Sequence, residues 1–148
     1  MYDIVSGQRL QGWQHDDDVL SLDWSPNGTW LATGGADRVV RLFDGNTGQE
    51  IAHWQLEDRV WSIRFSSDGR FLVTGNGDWT GYGFEQIGSV YLLHIERQHS
   101  LERWMYEDHI KTVALSPNGE WILTGGLNGQ VRVFSVMPRF CLGTYQSK

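Results

Sequence analysis

The sequence predicts an all-β chain in which one small antiparallel unit is used three times, with a single extra strand ahead of it. Three observations predict this. VLSLDWSPNGTWLATGGAD (19–37) returns as VWSIRFSSDGRFLVTGNGD (60–78) and again as IKTVALSPNGEWILTGGLN (110–128). The step is 41 residues and then 50, and the nine additional residues fall after Asp78. The frame also extends beyond these blocks. Trp13, Trp54, Trp104 and Tyr145 share one position, Tyr2, Phe43, Leu93 and Phe134 a second, and Trp30, Phe71 and Trp121 a third. Composition agrees: eight Trp and eighteen Gly but only three Pro in 148 residues describe a turn-rich β protein with bulky packing groups, not a disordered chain.

Taken in order, residues 1–14 contain QRLQGWQ, a fourth strand left over from a preceding unit. The first unit spans 15–56. VLSLDW is its first strand and ends in the turn SPNG; TWLATG is its second and closes in a short turn holding Asp37. VVRLFD, followed by GNTG, is its third, and EIAHWQ its fourth. The second unit spans 57–106 with an insertion at 79–88, and the third spans 107–148 with FCLGTYQ as its last strand. SPNG, SSDG and SPNG all finish in Gly, which supplies the positive φ that such hairpin turns require. Alternation is clear in VRLF and weaker in the first strands, as expected of a sheet covered on both faces. Four antiparallel strands in about 40 residues make one propeller blade. A single blade cannot cover its own two faces, whereas neighbours stacked around a centre do so.

The residues that carry the repeat resemble the WD40-repeat family. That family places a His before the first strand, an SPDG-like turn, a Ser/Thr-Gly segment followed by Asp, and Trp-Asp at the end of the third strand. The first unit here shows His15, SPNG, TGGAD and Phe43-Asp44, and the resemblance covers essentially the whole chain. It implies a WD40-type β-propeller arc of three four-stranded antiparallel blades plus one extra N-terminal strand, an incomplete ring. It also implies a buried network of His15, Thr33 and Asp37, with Phe43 standing where the family has an indole donor. The second unit offers Leu56, Thr74 and Asp78 at these positions, and the third Tyr106, Thr124 and Asn128. Those two blades are expected to depend more on packing. An arc leaves its end faces uncovered. Further blades, from a longer chain or another subunit, are expected to cover them. The competing expectation is a dimer in which QRLQGWQ replaces FCLGTYQ in the partner's third blade.

Other classes are disfavoured by charge and motif. Eighteen acids against twelve Lys and Arg give a net charge of -6, contrary to a general affinity for nucleic acid. No apolar run approaches the roughly 18 residues of a membrane span, and no secretory signal opens the sequence. Cys141 is the single cysteine, so neither an internal disulfide nor a multi-thiolate zinc site is available. A cytoplasmic location is therefore expected. The five His show no HExxH spacing, and neither GxSxG nor a GK[ST] loop occurs. Asp16, Asp17 and Asp18 lack the spaced ligands of a calcium loop. The expectation is no enzyme activity, no metal and no cofactor. Asn27-Gly28-Thr29 matches a glycosylation sequon, yet the SPNG turn accounts for it.

A partner-binding surface is expected at the end of the blades where the loops leading into the first strands meet the turns between second and third strands. HDDD, LEDR and YEDH bring Asp16, Asp17, Asp18, Glu57, Asp58, Glu107 and Asp108 to this top end, with Arg38, Arg59, His109 and Lys111 nearby. The insertion leaves from the same end and carries Trp79, Tyr82 and Phe84. Long loops with large apolar side chains on a rigid scaffold serve binding; the alternative is that this loop packs over its own blade or against a neighbouring blade supplied from elsewhere. Trp61 joins the candidates because its repeat equivalents, Leu20 and Lys111, share no core role with it. The function expected is a non-catalytic scaffold for a protein or peptide, with a basic surface favoured as partner. The alternative is an accessory or sensor propeller of an enzyme or signalling protein whose catalytic part lies elsewhere.

Overall fold

The turn after each first strand is a hydrogen-bonded module written into the sequence three times. The hydroxyls of Ser25, Ser66 and Ser116 donate to the side-chain oxygens of Asn27, Asp68 and Asn118 at 2.7, 2.5 and 2.6 Å. The same hydroxyls accept the amides of Trp30, Phe71 and Trp121 at 2.8, 3.0 and 2.9 Å. Gly28, Gly69 and Gly119 follow with φ near +70° (71°, 70° and 72°), so each chain reversal needs a residue without a Cβ. Asn27 is thus a turn acceptor, whatever its sequon.

A computed structural model of the chain describes residues 12–79 and 86–136. The first blade contains β1 (Val19–Trp24), β2 (Trp30–Gly35), β3 (Val39–Asp44) and β4 (Glu50–Gln55), hydrogen-bonded in that order. The second contains β5 (Val60–Phe65), β6 (Phe71–Trp79), β7 (Gln86–His94) and β8 (His99–Tyr106), also in sequence order. Of the third, β9 (Ile110–Leu115), β10 (Trp121–Gly126) and β11 (Val131–Ser135) are described. All pairings are antiparallel, no element is a helix, and the three sheets do not close a ring among the described residues. Most of QRLQGWQ and all of FCLGTYQ lie outside them.

Register is identical from blade to blade. Thr33 faces Arg41, Thr74 faces Tyr91, and Thr124 faces Arg132. Every first strand also breaks its ladder at the same point. Val19 and Ser21 pair with Gly35 and Gly34, Val60 and Ser62 with Asn76 and Gly75, and Ile110 and Thr112 with Gly126 and Gly125. The residue skipped is Leu20, Trp61 or Lys111. A β-bulge leaves its extra residue outside the pairing and re-aims its side chain. Three unrelated chemistries are tolerated there because that slot is not core.

The core lies between blades. Strand β7 shows how: Tyr91 and Leu93 join a cluster with Val40, Leu42 and Trp54 of the first blade, while the alternate Val90 and Leu92 join one with Ile110, Val113 and Ile122 of the third. Period-two alternation therefore feeds two separate cores rather than a core and solvent. The recurrent Trp sits in matched surroundings. Trp13 packs on Phe43 with ring centroids 4.8 Å apart, Trp104 on Phe134 at 6.5 Å, and Trp54 is buried in one cluster with Leu93. Hydroxyls tie neighbouring blades together: Ser21 accepts the Ile63 amide at 3.0 Å, and Ser62 accepts the Val113 amide at 3.2 Å.

The insertion does not delay the third strand of the second blade. In blades one and three the second ladder ends at Gly34–Val40 and Gly125–Val131. In blade two it runs past the equivalent Gly75–Val90 pair through Asn76–Ser89, Gly77–Gly88, Asp78–Ile87 and Trp79–Gln86. At about 3.4 Å per residue, these four pairs extend the ladder by about 14 Å; β5 and β8 still flank the first two, and the last two form a two-stranded ribbon. The nine residues lengthen two strands as well as the loop between them.

Candidate functional site

The top end is defined by one hydrogen bond used in all three blades. The amides of Ala36, Gly77 and Leu127 donate to the carbonyls of Asp18, Arg59 and His109, at 2.8, 3.1 and 3.2 Å. Each lead-in loop is thereby held against the end of its second strand, and the ribbon leaves from that end in blade two.

Both neighbours brace the ribbon base. Gly77 and Gly88 face each other across the ladder, and both lie against blade three. A Cβ on Gly88 would stand 1.9 Å from the Asp108 carbonyl oxygen, and one on Gly77 within 2.9 Å of His109. Only glycines permit this approach. His109 Nε2 donates to the Asp78 carbonyl at 2.7 Å, and the Ser89 hydroxyl donates to Asp58 at 2.9 Å. On the other flank Arg38 of blade one meets the Asp78 carboxylate at 2.5 Å, with Arg59 Nε 3.6 Å from its second oxygen. Arg38 itself occupies the left-handed region, with φ of 65°.

Trp61 is committed to the same base. Its indole N–H donates to the Gly77 carbonyl at 2.9 Å, and the Lys111 ammonium of the adjacent bulge lies over its ring. Burial pushes the Lys111 ammonium below its ordinary value, and the charge of Arg59 pushes it further. Half-buried and partnered on its polar edge, Trp61 braces the ribbon and does not stand free on the rim. Trp79 ends β6; Tyr82 and Phe84 lie outside the described residues.

The acids expected at the top end do not all share one exposed surface. Asp16, Asp17, Asp18 and Glu107 are exposed. Glu57 is exposed too but paired with Arg103 at 2.6 Å, whose hydrogen bond and charge hold its carboxyl below the usual range. Asp58 is half-buried on Ser89. Asp108 is a correction: it is buried, and its carboxylate accepts the Asn128 amide at 3.1 Å inside the third blade. The position after the lead-in Glu turns inwards here because the β10–β11 turn presents that amide to it. Arg38, Arg59 and Lys111 interleave with the acids, so the top is of mixed sign around the ribbon.

The structural network is complete in one blade only. His15 Nε2 lies 2.8 Å from Thr33 Oγ1, and its Nδ1 3.2 Å from Asp37 and 2.7 Å from Arg41 Nη1. A guanidinium cannot accept, so Nδ1 accepts from Arg41 and Nε2–H donates to Thr33. Arg41 also donates to Asp37 at 2.6 Å. Burial pushes the Asp37 carboxyl up. The Arg41 hydrogen bond, the Val39 amide and the charge of Arg41 outweigh that effect and hold it below the ordinary 3.8. Arg41 thus supplies the donor missing at Phe43, and sequence reasoning that looked only for an indole passed over it. Its position directly across from Thr33 was the available signal.

In blade two Thr74 donates to Asn76 at 2.6 Å instead of meeting Asp78. Asp78 sits in a continuing strand rather than a turn, and its carboxylate goes to the two arginines. In blade three the buried Thr124 hydroxyl has no hydrogen-bond partner among the described residues. There Asn128 accepts the Gln130 amide at 2.9 Å, closing its own turn.

Compared with known families, the chain matches the WD domain, G-beta repeat over residues 7–44, 48–81 and 99–135. None of the curated proteins compared with it matches.

Proposed function

Since the chain belongs to the WD40-repeat family, whose domains serve in general as protein-interaction scaffolds, we propose that it is a non-catalytic docking module that grips a protein or peptide partner at its top face. The observation that carries this reading is the ribbon. Its ladder runs four pairs further than in the other blades, the last two, Asp78–Ile87 and Trp79–Gln86, past the sheet, and contacts from both adjacent blades stiffen the base from which the sequence carrying Trp79, Tyr82 and Phe84 continues. Nothing in blade geometry requires such an extension. A braced support for aromatic side chains lowers the ordering cost of binding, and Trp and Tyr dominate interface energetics.

Asp16, Asp17, Asp18 and Glu107 form the exposed acidic part of this surface, with Glu57 and Asp58 behind them in internal pairs. The partner contacts them through basic groups. Trp61 acts indirectly, by fixing the ribbon, whereas the Asp108 carboxylate, buried inside the third blade, takes no part in the contact. The module works within a larger propeller or assembly in the cytoplasm, without a bound cofactor or metal.

The test is partner capture followed by mass spectrometry, comparing the unaltered chain with a Trp79→Ala, Tyr82→Ala, Phe84→Ala variant at low and high salt. The reading requires a β-folded variant that captures none of the partners the parent retains, and parental capture that weakens with salt. Identical capture by a folded variant refutes it. Aggregation of the variant shows instead that the three aromatics are part of the packing.

A further inference from the structure

Repeat-equivalent side chains report how each sheet face is used. Val40 and Leu42 of blade one are buried under blade two, and their counterparts Val90 and Leu92 under blade three. The counterparts in blade three, Val131 and Val133, are 72% and 58% exposed, and Leu123, equivalent to the buried Ala32 and Val73, is 37% exposed. The opposite face behaves in the same way. Val60 and Ile63 of blade two are buried against blade one, and Ile110 and Val113 of blade three against blade two. Their counterparts in blade one, Val19 and Leu22, are 47% and 58% exposed, and Trp24, equivalent to the buried Phe65, is 41% exposed.

The chain therefore carries both halves of its own inter-blade interface, one at each end. Inside the chain a face of the first kind is always covered by a face of the second. The hydrogen bond between blades has an open counterpart as well. Ser21 and Ser62 accept the Ile63 and Val113 amides; Thr112 holds the same position in blade three and is exposed, while Leu22 holds the donor position in blade one. A groove of about 360 Å³, lined by Trp13, Val19, Leu22, Trp24 and Leu31, lies open on the blade-one side.

We propose that this chain pairs head to tail with a second copy of itself, so that the Val131–Val133–Leu123 face of one copy seats on the Val19–Leu22–Trp24 face of the other. Thr112 of one copy then accepts the Leu22 amide of its partner. A heterologous contact of this kind either closes or runs on as a filament. Two arcs of three blades close at six, within the roughly 4–8 blades of propeller rings. The closed dimer covers both of these faces and presents two ribbons.

Light scattering with mass determination on the full chain at micromolar concentration gives twice the chain mass. Leu22→Glu and Val133→Glu each yield folded monomers, because both side chains are exposed within one copy. Mixing these two variants restores a dimer, since the intact blade-three face of the first meets the intact blade-one face of the second. Thr112→Val removes one hydrogen bond from each of the two interfaces of the closed dimer, so it keeps the dimer but weakens it about 25-fold. A folded monomeric parent, an open ladder of higher species, or either single variant remaining dimeric on its own overturns the proposal. So does a mixture of folded variants that stays monomeric.

Discussion

Replacing Gly88 with Ala tests whether the ribbon is braced or merely present. The new Cβ would lie 1.9 Å from the Asp108 carbonyl oxygen and 2.9 Å from its carbon, where ordinary contact begins at 3.4 Å. Relief requires the ribbon and the lead-in loop of blade three to separate by about 1.5 Å, since both colliding groups are backbone. That movement stretches the His109–Asp78 bond (2.7 Å), which joins the two blades, out of hydrogen-bonding range. Overpacking of this sort costs about 1–3 kcal/mol. For a chain of this size each kcal/mol moves Tm by about 2–4 °C, so a fall of roughly 2–12 °C is expected. Thermal unfolding followed by far-ultraviolet circular dichroism measures it. Hydrogen exchange localises it, with lost protection at residues 76–79 and 86–89 and little change in β1 to β4. A Gly88→Ala protein with parental Tm and parental protection in the ribbon shows that blade three does not hold it, and the docking reading then loses its mechanical basis.

Two further outcomes follow from the same geometry. Asp37 is held below its ordinary 3.8 in the folded state. The stability it contributes is therefore fully present above that value and is lost as pH falls through the lower folded value. Arg41→Gln removes the main favourable partner and should flatten the acid limb of a stability–pH curve measured by urea unfolding between roughly pH 2 and 6; an unchanged limb contradicts the assigned network. Asp108→Ala strips the acceptor from the Asn128 amide and should cost about 0.5–1.5 kcal/mol in urea unfolding while leaving partner capture unaltered. Asp17→Asn, on an exposed carboxylate, should do the reverse.

The repeat, its strands and their register were legible because each depends on residues close in sequence. Ser25, Asn27 and Gly28 close one turn among themselves, and the alternation of β7 sorts its side chains without reference to distant groups. The ribbon was less legible. Recognising it requires Gly88 to be read as the cross-strand partner of Gly77, and the clue was a glycine flanked by strand-forming residues on each side of the insertion. Asp78 then had to be a strand residue, not the turn residue that its repeat position implied. Asp108 could not be placed from sequence at all. It shares the YEDH motif with exposed acids, and only the Asn128 amide, delivered by another turn, draws it inside.

The bulge explains how so regular a scaffold supports an irregular surface. One residue, Leu20, Trp61 or Lys111, is expelled from the ladder and released from core packing, so its identity can change freely. The next residue is fixed: Ser21 and Ser62 must offer a hydroxyl to the following blade, and Thr112 retains one. Conservative and variable demands are thus separated by a single peptide bond. In blade two the released slot holds Trp61, which binds the Gly77 carbonyl, and the released Lys111 of blade three covers it. Two slots that the fold leaves unassigned are both spent on the base of the ribbon. Substituting either slot with the Leu of blade one should therefore loosen the ribbon and leave the blade cores intact, which places the specificity of this surface in positions that folding does not constrain.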